Sequence, residues 1–431
     1  MRPTPKPLDV LHPSRRHWLR TAAAGGVAAL APWAGLSLAG TATPGGPRLV
    51  LMILRGGLDG LSAVPAVADP DFAEARGALG RFASPALPLD NLFALHPALP
   101  GLHAMYGQGE LLVVHATGLP YRERSHFDGQ QVLESGGERP FALSTGWLGR
   151  ALAGSSRKAM ALQSSVPLVL RGHTEVDTWA PSSRHDPGAD LVARLERLYL
   201  DDVPLAAALA RARELRAGSG GDSMSLASSP AGGMADGMAG GMAGGTAAGT
   251  VPGPARQPAL LLARQAAQFL ARPDGPQAAV LDLSGWDSHA NQVADPGPLV
   301  NNLRLLDASL GALREGLSGP AAGDTWRRTV VLVVTEFGRT VAINGTQGTD
   351  HGSGGAALLL GGAVRGGRVI ADWPGLAPAQ RFEGRDLRIT TDLRALFKTV
   401  LIEHLGLDPV RISQQALPGS AGLARLDLLR A

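Results

Sequence analysis

Short runs of β-branched residues and leucine, each closed by Gly, Pro or Asp, recur along this chain at 48–54, 111–115, 166–171, 278–283, 329–334 and 356–360. Uninterrupted apolar runs of that length predict strands buried on both faces. Between them apolar residues return every three or four positions over 126–134, 191–200, 205–216, 260–271, 299–317 and 391–405. That spacing predicts helices burying one side. Strands alternating with helices predict an α/β fold with a mainly parallel central sheet flanked by helices.

The pattern lapses twice. Residues 218–255 are rich in Gly, Ala and Met without any apolar period, which predicts a flexible insert interrupting a single α/β domain made of 47–217 and 256–431. Met234, Met238 and Met242 recur every four residues there. Thioethers at that spacing suit Cu(I), although a Gly-rich linker with incidental Met is the commoner explanation. The second lapse is residues 1–39. Ser14-Arg15-Arg16-His17-Trp18-Leu19-Arg20 and the small, modestly apolar stretch after it resemble a twin-arginine signal peptide, with cleavage expected after Ala39. The resemblance implies the twin-arginine translocase as a partner during export, a periplasmic or secreted location, and no stable membrane span after cleavage.

Composition changes this picture in two ways. A chain of 431 residues, 45% hydrophobic, can bury a sizeable core. Its formal charge is +3, but five of its 40 basic and one of its 37 acidic residues lie in the first 39 positions; the rest carries 35 against 36. A nearly neutral mature protein gives no electrostatic case for a nucleic-acid partner. There is no Cys, so thiolate metal sites and a Cys nucleophile are excluded.

The chemistry-bearing residues gather just past predicted strand ends. Strand 48–54 leads into Arg55-Gly56-Gly57-Leu58-Asp59, strand 278–283 into Ser284-Gly285-Trp286-Asp287-Ser288-His289, and strand 329–334 into Thr335-Glu336-Phe337-Gly338-Arg339, with Gly348-Thr349-Asp350-His351 beyond. In a parallel sheet these ends share one edge, where ligands bind. Carboxylates brought together call for a cation. A mixed Asp, Glu and His set favours Zn²⁺ or Mn²⁺ over Mg²⁺ or Ca²⁺. Each Asp also has a plain reading as a turn or cap residue. Ser125, followed three positions later by Asp128, reads as a helix cap; the same geometry suits a nucleophile facing an anion at the helix start. Arg122, Arg124 or Arg339 could clamp oxyanion oxygens, and His126 stands as a ligand or as a group behind one.

Taken together, Leu54-Arg55-Gly56-Gly57-Leu58-Asp59-Gly60-Leu61, Ser125-His126-Phe127-Asp128, Gly285-Trp286-Asp287-Ser288-His289, Thr335-Glu336-Phe337-Gly338-Arg339-Thr340 and Gly348-Thr349-Asp350-His351-Gly352 resemble the bacterial family called domain of unknown function 1501. Its exported members are similar to the alkaline phosphatase and sulfatase superfamily. The resemblance implies an alkaline-phosphatase-like fold and, if the protein is an enzyme, hydrolysis or transfer at an anionic phosphate, phosphonate or sulfate ester. By the same resemblance Asp59, Asp287, His289, Glu336 and His351 hold the metal, Asp350 ligates or orients, Ser125 is the nucleophile and Arg339 steadies the oxyanion. Two registers compete for the superfamily's strand-end Asp-His pair, Glu336-Phe337 or Asp350-His351, and the first fits the strand-end position. Phe337 then stands where the superfamily has a ligating His, which speaks against a complete two-metal site. The absence of Cys, and His126-Phe127-Asp128-Gly129 after Ser125, speak against formylglycine sulfatase chemistry. A non-catalytic binding or assembly protein retaining the fold is the alternative.

Overall fold

The computed structural model describes residues 45–181, 189–218 and 256–430. The expected signal peptide and Met234, Met238 and Met242 lie outside these residues. Eleven strands are described: β1 (Arg48–Arg55), β2 (Leu87–Pro88), β3 (Ala94–Leu95), β4 (Leu111–Gly118), β5 (Ala159–Ala161), β6 (Val176–Thr178), β7 (Ala278–Ser284), β8 (Thr329–Val334), β9 (Gly355–Leu360), β10 (Arg368–Ile370) and β11 (Thr391–Asp392). All except the small β2–β3 ribbon join one sheet of order β10-β4-β9-β8-β1-β7-β5-β6, with β11 also on β4. Every pairing in it is parallel except the two made by β9, which runs antiparallel to β4 and β8. The α/β class with a mostly parallel sheet is as the sequence predicts. Because β7 pairs with both β1 and β5, chain on either side of residues 219–255 builds the same sheet.

Alternation along β1 explains why it sits mid-sheet. Val50, Met52 and Leu54 pack on one face with Leu303, Leu306 and Leu310 of helix Pro298–Ser318. Leu49, Leu51 and Ile53 pack on the other with Trp147, Phe397 and Leu401. Both faces are covered, as a parallel sheet requires. The Trp147 and Phe397 rings stack with centroids 4.5 Å apart.

Two expected elements differ. Residues 166–171 form a buried 3₁₀ turn at Leu168–Leu170 instead of a strand. Pro167 has no N–H to give to a ladder, and the N–H of Val169 donates to Glu134 Oε2 at 3.0 Å. The strand on that side is β5, too short to register as an apolar run. The helix expected over 391–405 begins at Leu393, because Asp392 accepts the Arg394 N–H as its cap while Thr391–Asp392 pairs with β4. Past Thr399 it widens into a π-turn at Val400–His404.

The fold carries an acid liability away from the strand ends. His115 is fully buried; its Nε2–H donates to the Val64 carbonyl at 2.9 Å and its Nδ1 accepts the Ala116 N–H. Burial pushes His115 and His96 down to about 4, against about 6.5 in an unfolded chain. As pH falls the unfolded state takes up protons first, so stability drops between about pH 6.5 and about 4. Urea unfolding at pH 7.5, 6 and 5 should show that loss, and His115→Asn should flatten part of it.

Candidate metal centre

Five segments reach one edge of the sheet. β1 ends in Arg55 and turns through Gly56, where a Cβ would stand 2.4 Å from the backbone nitrogen of Asp287. Only glycine allows the β1 and β7 loops to approach that closely. β8 delivers Thr335 and Glu336. The reversal of β9 puts its N-terminal end at this same edge, so Asp350 and His351, just before it, arrive beside residues that follow parallel strands. Helix His126–Ser135 starts here, capped by Ser125, whose hydroxyl accepts the Asp128 N–H at 3.5 Å.

Three imidazoles and one carboxylate converge. His126 Nε2 lies 3.0 Å from His351 Nε2 and 3.3 Å from Asp287 Oδ1, and His351 Nε2 is 3.1 Å from that oxygen. His289 Nε2 lies 2.9 Å from Asp287 Oδ1 and 3.1 Å from His351 Nε2. His126, Asp287 and His351 form a group that could hold a metal ion. Ligand atoms at tetrahedral corners 2.0–2.1 Å from zinc sit about 3.3–3.4 Å apart, close to the separations in this trio.

The other ring nitrogens decide the electrostatics. His126 Nδ1 faces Glu336 Oε1 at 2.8 Å, His289 Nδ1 faces Asp350 Oδ1 at 3.1 Å, and His351 Nδ1 faces the Arg124 carbonyl at 3.0 Å. All three partners are acceptors, so each Nδ1 carries a proton, and in the neutral ring Nε2 is a lone pair. Three such lone pairs and a carboxylate oxygen around one point repel unless a cation lies among them. This chemistry fits a divalent ion bound by histidines whose second nitrogens are held by carboxylates or carbonyls.

The titrations follow from these contacts. The hydrogen bond to Glu336 raises the His126 pKa, outweighing burial. Burial lowers that of His351. Burial disfavours the charge on Glu336, but hydrogen bonds from His126, Gln130 and the Gly56 N–H outweigh it and keep the carboxyl below its ordinary value. Asp287 is likewise penalised by burial, yet Arg339 and His351 hold it well below the carboxylate range.

The remaining sequence-predicted residues fall into other places. Glu336, expected as a ligand, and Asp350, expected to ligate or orient, stand behind His126 and His289 and fix those rings. Asp59, expected at the metal, is 2% exposed: Oδ1 accepts the Ser62 N–H at 3.1 Å and Oδ2 pairs with Arg76 at 2.5 Å. With an internal cation as counter-charge it needs no metal. Arg339, expected to steady an oxyanion, is equally buried and donates to the carbonyls of Gly56, Gly57, Trp286 and Thr349 and to Asp287; its donors are spent inside the protein. Phe337 packs its ring 4.7 Å from that of His126 and 5.1 Å from that of His351, an apolar wall beside the imidazoles. His126 is the residue sequence reasoning left between two roles; its place immediately after a helix cap, next to Ser125, was the signal.

Comparison with known proteins gives a family but no chemistry. Among curated proteins none matches the sequence. Solved structures with partial likeness include Ps i-CgsB in complex with k-i-k-neocarrahexaose, 11% identical over 84% of this chain and 72% of its own, at a TM-score of 0.39. The PsFucS1 sulfatase from Pseudoalteromonas sp. is 13% identical over 83% of this chain and 68% of its own, at 0.34. The phosphonate monoester hydrolase of Agrobacterium radiobacter is 11% identical over 84% and 74%, at 0.33. The family described as protein of unknown function (DUF1501) matches residues 103–423, and the chain belongs to it.

Proposed function

We propose that this protein is exported and binds one divalent cation, Zn²⁺ or Mn²⁺ ahead of Mg²⁺ or Ca²⁺, through His126, Asp287 and His351 with His289 beside them, and that it hydrolyses an anionic phosphate, phosphonate or sulfate ester there. The observation that carries the reading is the convergence of three imidazole Nε2 atoms on Asp287 Oδ1, with each Nδ1 facing an acceptor. A cation bound there would polarise an ester oxygen and make a hydroxyl or water more acidic. The protein's own residues supply the rest. Glu336 holds the His126 ring and Asp350 that of His289. Ser125, the cap of helix His126–Ser135, offers a hydroxyl next to His126. Arg385 takes the part that Arg339 cannot: its side chain is 41% exposed and donates to the His351 carbonyl, beside the ligands and open to an anion. Export rests on the motif at 14–20; among the described residues no helix is long and apolar enough to cross a membrane.

A second reading, a non-catalytic binding or assembly protein, is favoured by Phe337 and by the Asp59–Arg76 pair, which leave one candidate cation centre among the described residues. Natively exported protein should carry about one equivalent of metal and turn over at least one of p-nitrophenyl phosphate, phenyl phenylphosphonate or p-nitrophenyl sulfate. Ser125→Ala should retain metal and lose turnover by roughly 10²-fold or more. Metal without turnover of any ester selects the second reading, and protein that binds no divalent cation overturns the metal-dependent hydrolase.

A further inference from the structure

A cavity of about 310 Å³ opens away from the histidine cluster, between residues 78–84, residues 96–100 and the first turns of helix Pro298–Ser318. That helix is 21 residues long, and its cap, Gly297, offers no side chain to its first N–H groups. Pro298 has none to satisfy; those of Leu299 and Val300, both lining the cavity, meet no acceptor among the described residues. A helix start in that state attracts an anion.

A second, independent feature points to the same place. His96 lines the cavity and is only 9% exposed. Its Nδ1 accepts the Ala98 N–H at 3.0 Å, so the neutral ring carries its proton on Nε2. That N–H has no protein partner among the described residues and, unlike the buried orphan donors of the fold, stays open to the cavity, where a ligand or water can accept it. Burial keeps the ring neutral, with its pKa near 4. Arg81, exposed at the rim, makes no side-chain bond among the described residues. The acids of the lining are already spent: Asp295 pairs with Arg304 at 2.8 Å, and Asp307 accepts the N–H groups of Gly101 and Leu102. Donors are free and acceptors are used, while Leu79, Phe82, Pro97 and Val300 give the walls an apolar character.

We infer that this cavity binds a small organic carboxylate, its oxygens on the Leu299 and Val300 N–H groups, His96 Nε2–H and Arg81, and its apolar body against Phe82 and Leu79. The volume lies at the lower end for ligand pockets, room for a body about the size of one aromatic ring. The inference is independent of the metal reading, since no residue of the histidine cluster lines the cavity.

Calorimetric titration of the full chain with benzoate and phenylacetate, and with benzamide as the uncharged counterpart, tests it. Saturable one-to-one binding of at least one carboxylate is expected, about ten-fold or more tighter than the amide. Arg81→Gln should weaken it about ten-fold, and Ala308→Trp, which fills the cavity from an exposed position of the helix, should abolish it. Both sites are exposed, so folding is expected to survive, and an unchanged melting temperature verifies that. No saturable binding by either carboxylate, equal affinity for the amide, or binding unaffected by both substitutions would overturn the inference.

Discussion

A His351→Ala variant should lose its divalent cation by well over the 10–100-fold that a residue merely supporting a ligand is worth. His351 Nε2 contacts His126, His289 and Asp287 at 3.0, 3.1 and 3.1 Å, and among the three rings it is the one in contact with both other imidazoles. Its removal takes away one of three ligands and the atom that joins the other two imidazoles. Glu336→Gln should act differently. His126 keeps both nitrogens but loses the carboxylate that fixes its ring, so affinity should fall within the 10–100-fold range. Competition titrations with a chromophoric chelator separate the two outcomes; equal retention by wild type and His351→Ala would refute the assignment.

The pH dependence of that affinity has a definite sign. Without a cation, the hydrogen bond to Glu336 raises the His126 pKa, so a proton competes for the site and affinity falls as pH drops through that raised value. The same pair contributes to stability of the metal-free protein in the opposite sense: fully present below about pH 6.5, the unfolded value, and lost as pH rises through the folded one. Glu336 and Asp287, both depressed, add stability present above about pH 4 and lost as pH falls through their folded values. These groups taken alone should therefore make the metal-free protein lose stability on both sides of an acidic-to-neutral window, on top of the acid loss from His96 and His115, and metal should extend it upward. Glu336→Gln should remove the upper limb.

The parts of this architecture legible in the sequence are those governed by local pattern. β1, β7 and β8 each follow an apolar run and end in Gly or a polar pair, so their positions and the edge where Asp287, His289 and Glu336 emerge could be read directly. His351 also reaches this edge, but not for a reason that its apolar neighbours encode. What brings it to the edge is the antiparallel course of β9, and strand direction is a tertiary property that an apolar run does not encode. Asp59 failed as a ligand because its partner, Arg76, comes from a short helix 17 residues later, with nothing in the spacing to mark the pair. Arg339 failed as an oxyanion clamp for a related reason: an Arg beside Gly and Thr reads as a surface residue, and only the close approach of three loops turns it into an interior one.

That buried arginine yields the largest effect expected away from the ligands. Arg339→Met should destabilise the protein by several kcal/mol, on the order of 1–3 kcal/mol for each buried carbonyl left unpaired, a large part of the 5–15 kcal/mol that usually separates folded from unfolded states. The guanidinium donates to Gly57 at 2.8 Å, Trp286 at 2.9 Å and Thr349 at 3.2 Å, to the Gly56 carbonyl, and to Asp287 Oδ1 at 2.7 Å. It thereby ties the loop after β1, the loop after β7 and residue 349 to its own loop after β8. Methionine fills similar volume but leaves those carbonyls unpaired and Asp287 without its counter-charge. Arg339→Lys should recover little, because one ammonium cannot reproduce a planar fork serving four carbonyls and a carboxylate. Urea unfolding measures the stability loss. Metal affinity measured where the variant is still folded separates two roles: a stabiliser alone would leave it unchanged, whereas a residue that also aims Asp287 should lower it roughly 10–100-fold.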